Sequence, residues 1–284
     1  MTFDKQDKLA GLRKKTLIRD DQRDPDGRVY INQETGEIFH SVTRVLGTTS
    51  PPEQQKALAK WLERPGSYED RDAAAKRGTG AHNHMEYVLK LAQRLARATS
   101  NKKGIWKPGD DGLYRCPQKI TTWAMEKAAA GAPRVPWASS GYARGLRGWA
   151  MDHISAIHSV EFSGHHPAGM AGACDLLCDL NTAGKGPKGP IILDWKTSGK
   201  SIHSDMSDQL IQYKCQTGAY SLILKHMTGI QAVGGAVVVA RRSGEPVTTM
   251  INQEELLEQE QLFLERAERH FDQLHAHRDL IGDS

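Results

Sequence analysis

One stretch of the sequence places an acidic and a basic side chain where they could act on a bound phosphate. It is the apolar run 191–196, which ends in Asp194-Trp195-Lys196. Side chains alternate between the two faces of a strand, so Asp194 and Lys196 are expected on one face and Trp195 on the other. A carboxylate can bind a hard divalent cation, and a neighbouring lysine can orient a water. The pattern also fits an ordinary surface ion pair.

A second carboxylate is expected close to this pair. Asp175 follows the small residues 169–174 on the strand predicted to precede Asp194. A hairpin between the two strands would bring Asp175 next to Asp194. Two carboxylates held close together repel one another unless a cation lies between them, which favours a metal site. The alternative is that Asp175 caps a turn.

Two helical patterns carry further polar side chains. His82 and Glu86 are four residues apart, so they share one face of the long helix predicted at 68–98. Gln212, Gln216 and Tyr220 follow at four-residue intervals on a helix after the Asp-x-Lys strand. Both patterns could belong to a site. They are also compatible with a solvated helix face and with a polar-to-core transition.

The elements that must position these residues are those of an α/β or α+β protein. Residues 28–42 are predicted to form a hairpin, followed by a short helix at 41–47 and a helix that ends near 65. Further helices are predicted at 68–98, about 120–130, 142–157, 205–227 and 253–277, and strands near 158–162, 171–180, 190–197 and 232–241. This order predicts one domain with a mixed central sheet flanked by helices. Within it, residues 1–66 form an N-terminal hairpin and helical cap, and residues 67–284 form the core, with a loop-rich insertion at about 99–141.

Composition limits the class of protein without identifying a partner. The 284 residues are 38% hydrophobic and 25% charged, as expected for a globular chain with its own core. The longest apolar runs are far shorter than the roughly 20 residues that cross a bilayer, and the N-terminus lacks a secretory signal pattern. We therefore expect a cytoplasmic protein that does not use a membrane. The net charge of +4 leans toward a polyanionic partner but is too small to establish one.

Taken in order, the motifs resemble a known group of nucleases. They are HxxxE on a helix, then VE, GxxD, an apolar strand ending in DWKTS, and QxxxY on a helix. This order resembles the RecB-type branch of the PD-(D/E)XK nuclease superfamily, and most closely the mitochondrial genome maintenance exonucleases and related phage exonucleases. The likeness covers about residues 28–270. It implies a restriction-endonuclease-like core with a long helix over the active site.

The resemblance also implies an activity. It is that of a Mg²⁺- or Mn²⁺-dependent exonuclease that hydrolyses DNA from its ends, in phage or bacterial recombination, replication or processing. DNA with a free end would be the substrate, and a single-strand-binding or annealing protein a second partner. Two alternatives stay open: an endonuclease of the same fold, of the restriction or junction-resolving type, and a DNA-binding module without catalysis.

Site residues follow from the resemblance, position by position. The implied metal ligands are Asp175, Asp194, His82 and the main-chain carbonyl of Trp195. The implied catalytic residues are Lys196, Asp194, Asp175, Glu86, Gln216 and Tyr220. The residues expected to contact DNA are Arg77, Thr197, Ser198 and Lys200. Glu161 matches a family position beside the metal, although it also fits an exposed strand residue.

Cysteine and tryptophan positions complete the predictions. Some RecB-type relatives bind an iron–sulfur cluster with four cysteines, three of them near the C-terminus. The last cysteine here is Cys215, so we predict no iron–sulfur cluster. Trp106, Trp123 and Trp137 lie in the predicted insertion, where they could stack on the bases of a frayed strand or pack the insertion's own core.

Overall fold

The computed structural model describes residues 8–9, 12, 16–24, 27–181, 188–199 and 207–282. The strands are β1 (Leu17–Asp20), β2 (Val29–Asn32), β3 (Ile38–Ser41), β4 (Lys107–Pro108), β5 (Tyr114–Arg115), β6 (Ile154–His166), β7 (Met170–Leu180), β8 (Ile191–Ser198), β9 (Gly235–Arg241) and β10 (Val247–Ile251). The helices are α1 (Val42–Thr48), α2 (Pro52–Leu62), α3 (Ser67–Lys102), α4 (Gln118–Ala130), α5 (Trp137–His153), α6 (Ser207–Thr228) and α7 (Gln253–Gly282).

Eight of these strands form one mixed sheet, and the predicted α/β class is confirmed. Their order is β1-β2-β3-β7-β8-β9-β10, with β6 paired to the other edge of β7. The pairs β3–β7 and β8–β9 are parallel, whereas β6–β7 and β7–β8 are antiparallel. Helices cover both faces: α3, α4 and α5 pack on one, and α1, α6 and α7 on the other.

Strand β7 is central because two strands share one of its edges. Near its start it pairs with β3, with Ser41 opposite Ala171. Near its end it pairs with β8, with Leu176 opposite Leu193. The sheet is therefore open along residues 172–175, between the two partners.

Side-chain alternation on β8 follows the prediction. Trp195 is buried under α5, with its ring edge-on to Trp149 at a centroid distance of 5.6 Å. Lys196 extends to the opposite face, where its Nζ lies 3.1 Å from Gln216 Oε1 on α6. Asp194 shares the face of Lys196, and the two side chains are in contact.

Several predicted boundaries were wrong. The helix predicted at 142–157 is α5, which begins at Trp137 and ends at His153. Strand β6 starts at Ile154, because pairing with β7 along its whole length outweighs the helix propensity of the preceding residues. Stretch 99–141 holds more regular structure than expected: the end of α3, the β4–β5 hairpin, α4 and the start of α5. The edge strand β10 was not predicted.

Across the described helices, no segment combines the length and the apolar character that a bilayer span requires.

A histidine pair joins α7 to β3, with His270 buried and His40 half-buried, and His270 also contacts α1. His270 Nε2 lies 2.7 Å from His40 Nδ1 of β3, and His270 Nδ1 lies 2.6 Å from Thr48 Oγ1 of α1. Burial, together with the electrostatic effect of nearby His40 and Arg44, lowers the pKa of His270 to about 4. The fold therefore keeps this imidazole neutral.

This pair predicts a loss of stability in mild acid. An unfolded histidine takes up a proton near pH 6.5, but folded His270 resists doing so until about pH 4. We expect the free energy of unfolding to fall by about 2 kcal/mol between these values. Urea unfolding of His270→Gln should lack this component, while His275→Gln, at an exposed position on the same helix, should keep it. An identical pH dependence in His270→Gln would refute the assignment.

Candidate metal centre

An open cleft of about 400 Å³ lies where β3 and β8 separate along β7. Helix α3 crosses it, and α6 closes its floor. The motif side chains that border it are His82, Glu86, Glu161, Asp175, Asp194, Lys196, Gln216 and Tyr220. Residues from five separate parts of the chain therefore meet in one cleft.

Asp175 is held in place from two sides. Its Oδ2 accepts a 2.7 Å hydrogen bond from the backbone N–H of Trp195, and its Oδ1 lies 3.3 Å from His82 Nδ1. Burial opposes its ionisation, yet the neighbouring His82 and Lys196 lower the pKa of Asp175 below its ordinary value. In turn, Asp175 outweighs the effect of burial on His82 and raises the pKa of that imidazole. Asp175 is thus a carboxylate held in one orientation, and its charged form is favoured.

Asp194 and Lys196 form a buried ion pair beside it. Lys196 Nζ lies 2.5 Å from Asp194 Oδ2, in poor alignment for a hydrogen bond, and donates to Gln216 Oε1 at 3.1 Å. Gln216 Nε2 donates in turn to Tyr220 OH at 2.6 Å. Burial, reinforced by the charge of Asp175 and opposed by Lys196, raises the pKa of Asp194 to about 6. Asp194 therefore loses its proton less readily than an exposed carboxyl does.

Residues of α6 hold the lysine from below. The ring of Tyr213 lies 4.9 Å from Lys196 Nζ, one turn before Gln216. A cation above an aromatic ring is attracted by its negative face. Sequence reasoning missed Tyr213, although its position three residues before Gln216 could have indicated it.

Glu161 completes a three-residue group that could hold a metal ion. Ligand atoms of His82, Glu161 and Asp175 all lie within 4.8 Å of one another. Burial, followed by the charges of Asp175 and Glu86, raises the pKa of Glu161 to about 8. Asp194 lies outside this group, next to its lysine. The carbonyl of Trp195 remains a prediction, because the contact seen for this residue is made by its N–H.

This donor set fits a divalent cation. Carboxylate oxygens suit Mg²⁺ and Mn²⁺, and a single imidazole is more readily accepted by Mn²⁺. Burial first, and then the charge of Asp175, raises the pKa values of Asp194 and Glu161, so a bound cation would favour the charged form of both carboxylates. The group His82, Glu161 and Asp175 would hold the ion, with Asp194 at its border.

Strands β6 and β7 both depart from regular side-chain alternation next to the metal-binding group. Phe162 and Cys174, which are opposite one another, pack toward α6 and α7. Val160 and Leu176, the next opposite pair, pack toward α3 and α5. Residues two apart share a face in a regular strand, so both strands twist between these pairs. The residues at the twist are Glu161, with a φ of 51°, and Asp175.

The left-handed φ of Glu161 leads us to expect opposite effects of its substitution on stability and on metal binding. A left-handed φ costs a non-glycine residue on the order of 1 kcal/mol or more. We expect Glu161→Gly to raise the free energy of unfolding by about 1 kcal/mol while weakening Mn²⁺ binding by about 10-fold or more. Glu161→Gln should weaken Mn²⁺ binding without the gain in stability, because it keeps the strained backbone. Calorimetric titration and urea unfolding measure the two effects, and tight Mn²⁺ binding by both variants would exclude Glu161 as a ligand.

The residues predicted to contact DNA border the cleft where α3 meets β8. Gly78 of α3 leaves room for Thr197 Oγ1, which is 3.2 Å from where a Cβ would lie. The guanidinium of Arg77 lies near Gly199, the residue after Ser198 at the end of β8. Lys200 is outside the described residues.

Two arginines on the opposite border were not predicted. Arg19 of β1 and Arg28, just before β2, both line the cleft, and both pair with Asp21. They lie more than 50 residues before Glu86 and Asp175, and no local motif links them to the site.

The predicted site residue Glu86 accepts a hydrogen bond from Lys90 on the next turn of α3.

Comparison with known proteins adds little to this description. No protein-family model and no curated protein matches the chain. The solved structure titled "Crystal structure of SSO0001" is similar at 18% sequence identity and a TM-score of 0.30, over 66% of this chain and 73% of that chain. A function must therefore be argued from the side chains of the cleft.

Proposed function

We propose that this chain is a metal-dependent DNA exonuclease of the RecB-type PD-(D/E)XK kind. The main support is the convergence of Asp175, Asp194 and Lys196 with His82 and Glu161 in one open cleft. A buried ion pair with no function would gain little over apolar packing. The order of motifs along the sequence supports the same class.

The proposed reaction is the attack of a water on a phosphodiester. A bound Mg²⁺ or Mn²⁺ supplies Lewis-acid polarisation of the scissile phosphate. The Lys196 ammonium, held by Asp194 and Gln216, points a proton at the water or at a phosphate oxygen. The water oxygen would bond to phosphorus as its proton passes to Glu86, the bond from phosphorus to the leaving oxygen would break, and that oxygen would take a proton from solvent water.

Other residues of the chain orient the reactants. His82 and the Trp195 N–H hold Asp175 in one orientation, so the carboxylate needs no rearrangement when an ion binds. Glu86, on the helical turn after His82, would accept a proton from the attacking water. Arg77, Thr197 and the two border arginines, Arg19 and Arg28, would contact phosphates without reading bases.

Digestion of defined DNA substrates tests the proposal. Linear single-stranded DNA, linear duplex and a covalently closed circle, each labelled, are incubated with Mg²⁺, Mn²⁺ or EDTA. Loss of label from linear DNA alone, in the presence of metal alone, is the expected result. Cleavage of the closed circle would replace the exonuclease proposal with the endonuclease. Binding of DNA without any change in length would favour the non-catalytic module.

A further inference from the structure

The cleft continues as a groove along α3. Glu161 borders both the cleft and a second hollow of about 400 Å³, which is also lined by Lys90, Gln93 and Arg94. Gln93, Arg94 and His158 are then shared with a third hollow of about 370 Å³. Because each hollow shares residues with the next, the three follow one face of the helix. We call the third hollow the distal pocket.

Charge changes sign along this groove. Glu86, Lys90, Arg94, Arg97 and Asn101 recur every three or four residues, so they form one stripe on α3. Lys90 is paired with Glu86, but Arg94 and Arg97 are exposed, and no carboxylate in the part of the chain described lies within ion-pair distance of either. The stripe on α3 is thus acidic at its cleft end and basic at the distal pocket.

The distal pocket also has an aromatic wall. Trp106 and Tyr114 are half-buried, and their rings stack at a centroid distance of 5.7 Å with an interplanar angle of 21°. Both belong to the segment that joins α3 to α4, outside the catalytic elements. His158, buried at the floor, bonds through Nε2 to Asp179 Oδ1 at 2.8 Å. Guanidinium groups beside aromatic rings are the combination that binds the phosphates and bases of single strands.

We propose that a single strand of DNA lies along α3 from the cleft to the distal pocket, where Arg94 and Arg97 bind phosphate and Trp106 with Tyr114 contacts a base. Only the position of the reacting end rests on the proposed function. The 11 steps along the helix from Glu86 to Arg97 span about 16 Å, since each helical residue rises about 1.5 Å. That length corresponds to about five nucleotides at a stacked spacing of about 3.4 Å.

Binding and cleavage can be measured separately. The probe for binding is 5′-fluorescein oligothymidylate of 15 nucleotides, titrated with the chain by fluorescence anisotropy in Ca²⁺, with oligonucleotide length checked on a gel afterwards. The variants are Arg94→Ala/Arg97→Ala and Trp106→Ala. The matched control, Lys225→Ala/Arg269→Ala, removes the same charge from exposed positions on α6 and α7, across the sheet. Thermal unfolding followed by circular dichroism checks that all variants remain folded.

We expect the Arg94→Ala/Arg97→Ala variant to bind the oligonucleotide at least about 10-fold more weakly than the unchanged chain. The slope of log affinity against log salt should be reduced by about 1.4, the value for two phosphate contacts on a single strand. Trp106→Ala should weaken binding at least about fivefold, and the control by less than about twofold. Equal affinity and equal salt slope in the arginine variant and the control would overturn the proposal. Competition by thymidine monophosphate as strong as that by the oligonucleotide would also overturn it, in favour of a free-nucleotide site.

The two proposals fail in different ways. Strand binding that depends on Arg94 and Arg97, without digestion in Mg²⁺ or Mn²⁺, would retain the groove and reject the nuclease. If DNA is digested but the substitution of Arg94 and Arg97 does not change strand binding, the nuclease proposal stands and the groove proposal is rejected. If both proposals hold, oligonucleotides shorter than about five nucleotides should be digested more slowly than longer ones. The Arg94→Ala/Arg97→Ala variant should digest both lengths at the same rate.

Discussion

Replacing Lys196 with alanine is expected to slow DNA digestion by on the order of 10³-fold. Asp194, Gln216 and the ring of Tyr213 hold the ammonium at one place in the cleft, and alanine puts no positive charge there. Asp194→Asn should have a similar effect, because it removes the charge that holds the lysine. The measurement is the initial rate of label release from linear DNA in saturating Mg²⁺ or Mn²⁺.

A matched control separates this role from the loss of any ion-paired lysine. Lys214 of α6 pairs with Glu255 of α7 at 2.6 Å and lies outside the cleft lining. Lys214→Ala should digest DNA within about twofold of the unchanged chain. Digestion by Lys196→Ala at the rate of the Lys214→Ala control would remove Lys196 from the reaction.

Gly218→Ala is expected to have the largest effect on stability. A Cβ at Gly218 of α6 would lie 2.5 Å from the carbonyl carbon and 2.7 Å from the carbonyl oxygen of Gln259 on α7. Backbone atoms cannot rotate away as a side chain can, so the two helices must separate. We expect the free energy of unfolding to fall by about 3 kcal/mol. Digestion should also slow, because Gln216 and Tyr220 are on the same helix.

Gly148→Ala provides the comparison within a helix. No heavy atom lies within 4 Å of a Cβ at Gly148 of α5, and the residue is exposed. Alanine is the better helix former, so this variant should gain up to about 1 kcal/mol. Urea unfolding of both variants tests the contrast. A gain in stability at both positions would mean that α6 and α7 do not approach one another as closely as described here.

Much of the fold could be predicted from local patterns. The hairpin of β2 and β3, the long helix α3 and the run of β7 and β8 were all indicated by periodicity and turn residues. The predictions were wrong for strands whose pairing partners are distant in sequence. Strand β6 begins earlier than predicted because β7 pairs with its whole length, and β10 is recognised by its place beside β9 rather than by its own residues.

The candidate site divides in the same way. Asp175, Asp194 and Lys196 could be predicted because strand alternation and a single hairpin suffice to bring them together. Glu161 is different: its place among the candidate ligands depends on a twist shared by β6 and β7 and on a left-handed φ that periodicity does not reveal. The border arginines Arg19 and Arg28 reach the cleft through the pairing of β1 with β2 and of β3 with β7.

The sequence by itself determined which side chains share a face within each element, since that follows from the periods of helix and strand. It thereby determined the α/β class and the set of carboxylates, lysine and histidine from which a metal site can be built. Only the tertiary structure decided which elements meet. The opening of the sheet between β3 and β8, the position of Glu161 and the continuation of the cleft along α3 all depend on packing between residues far apart in the chain, which no local pattern encodes.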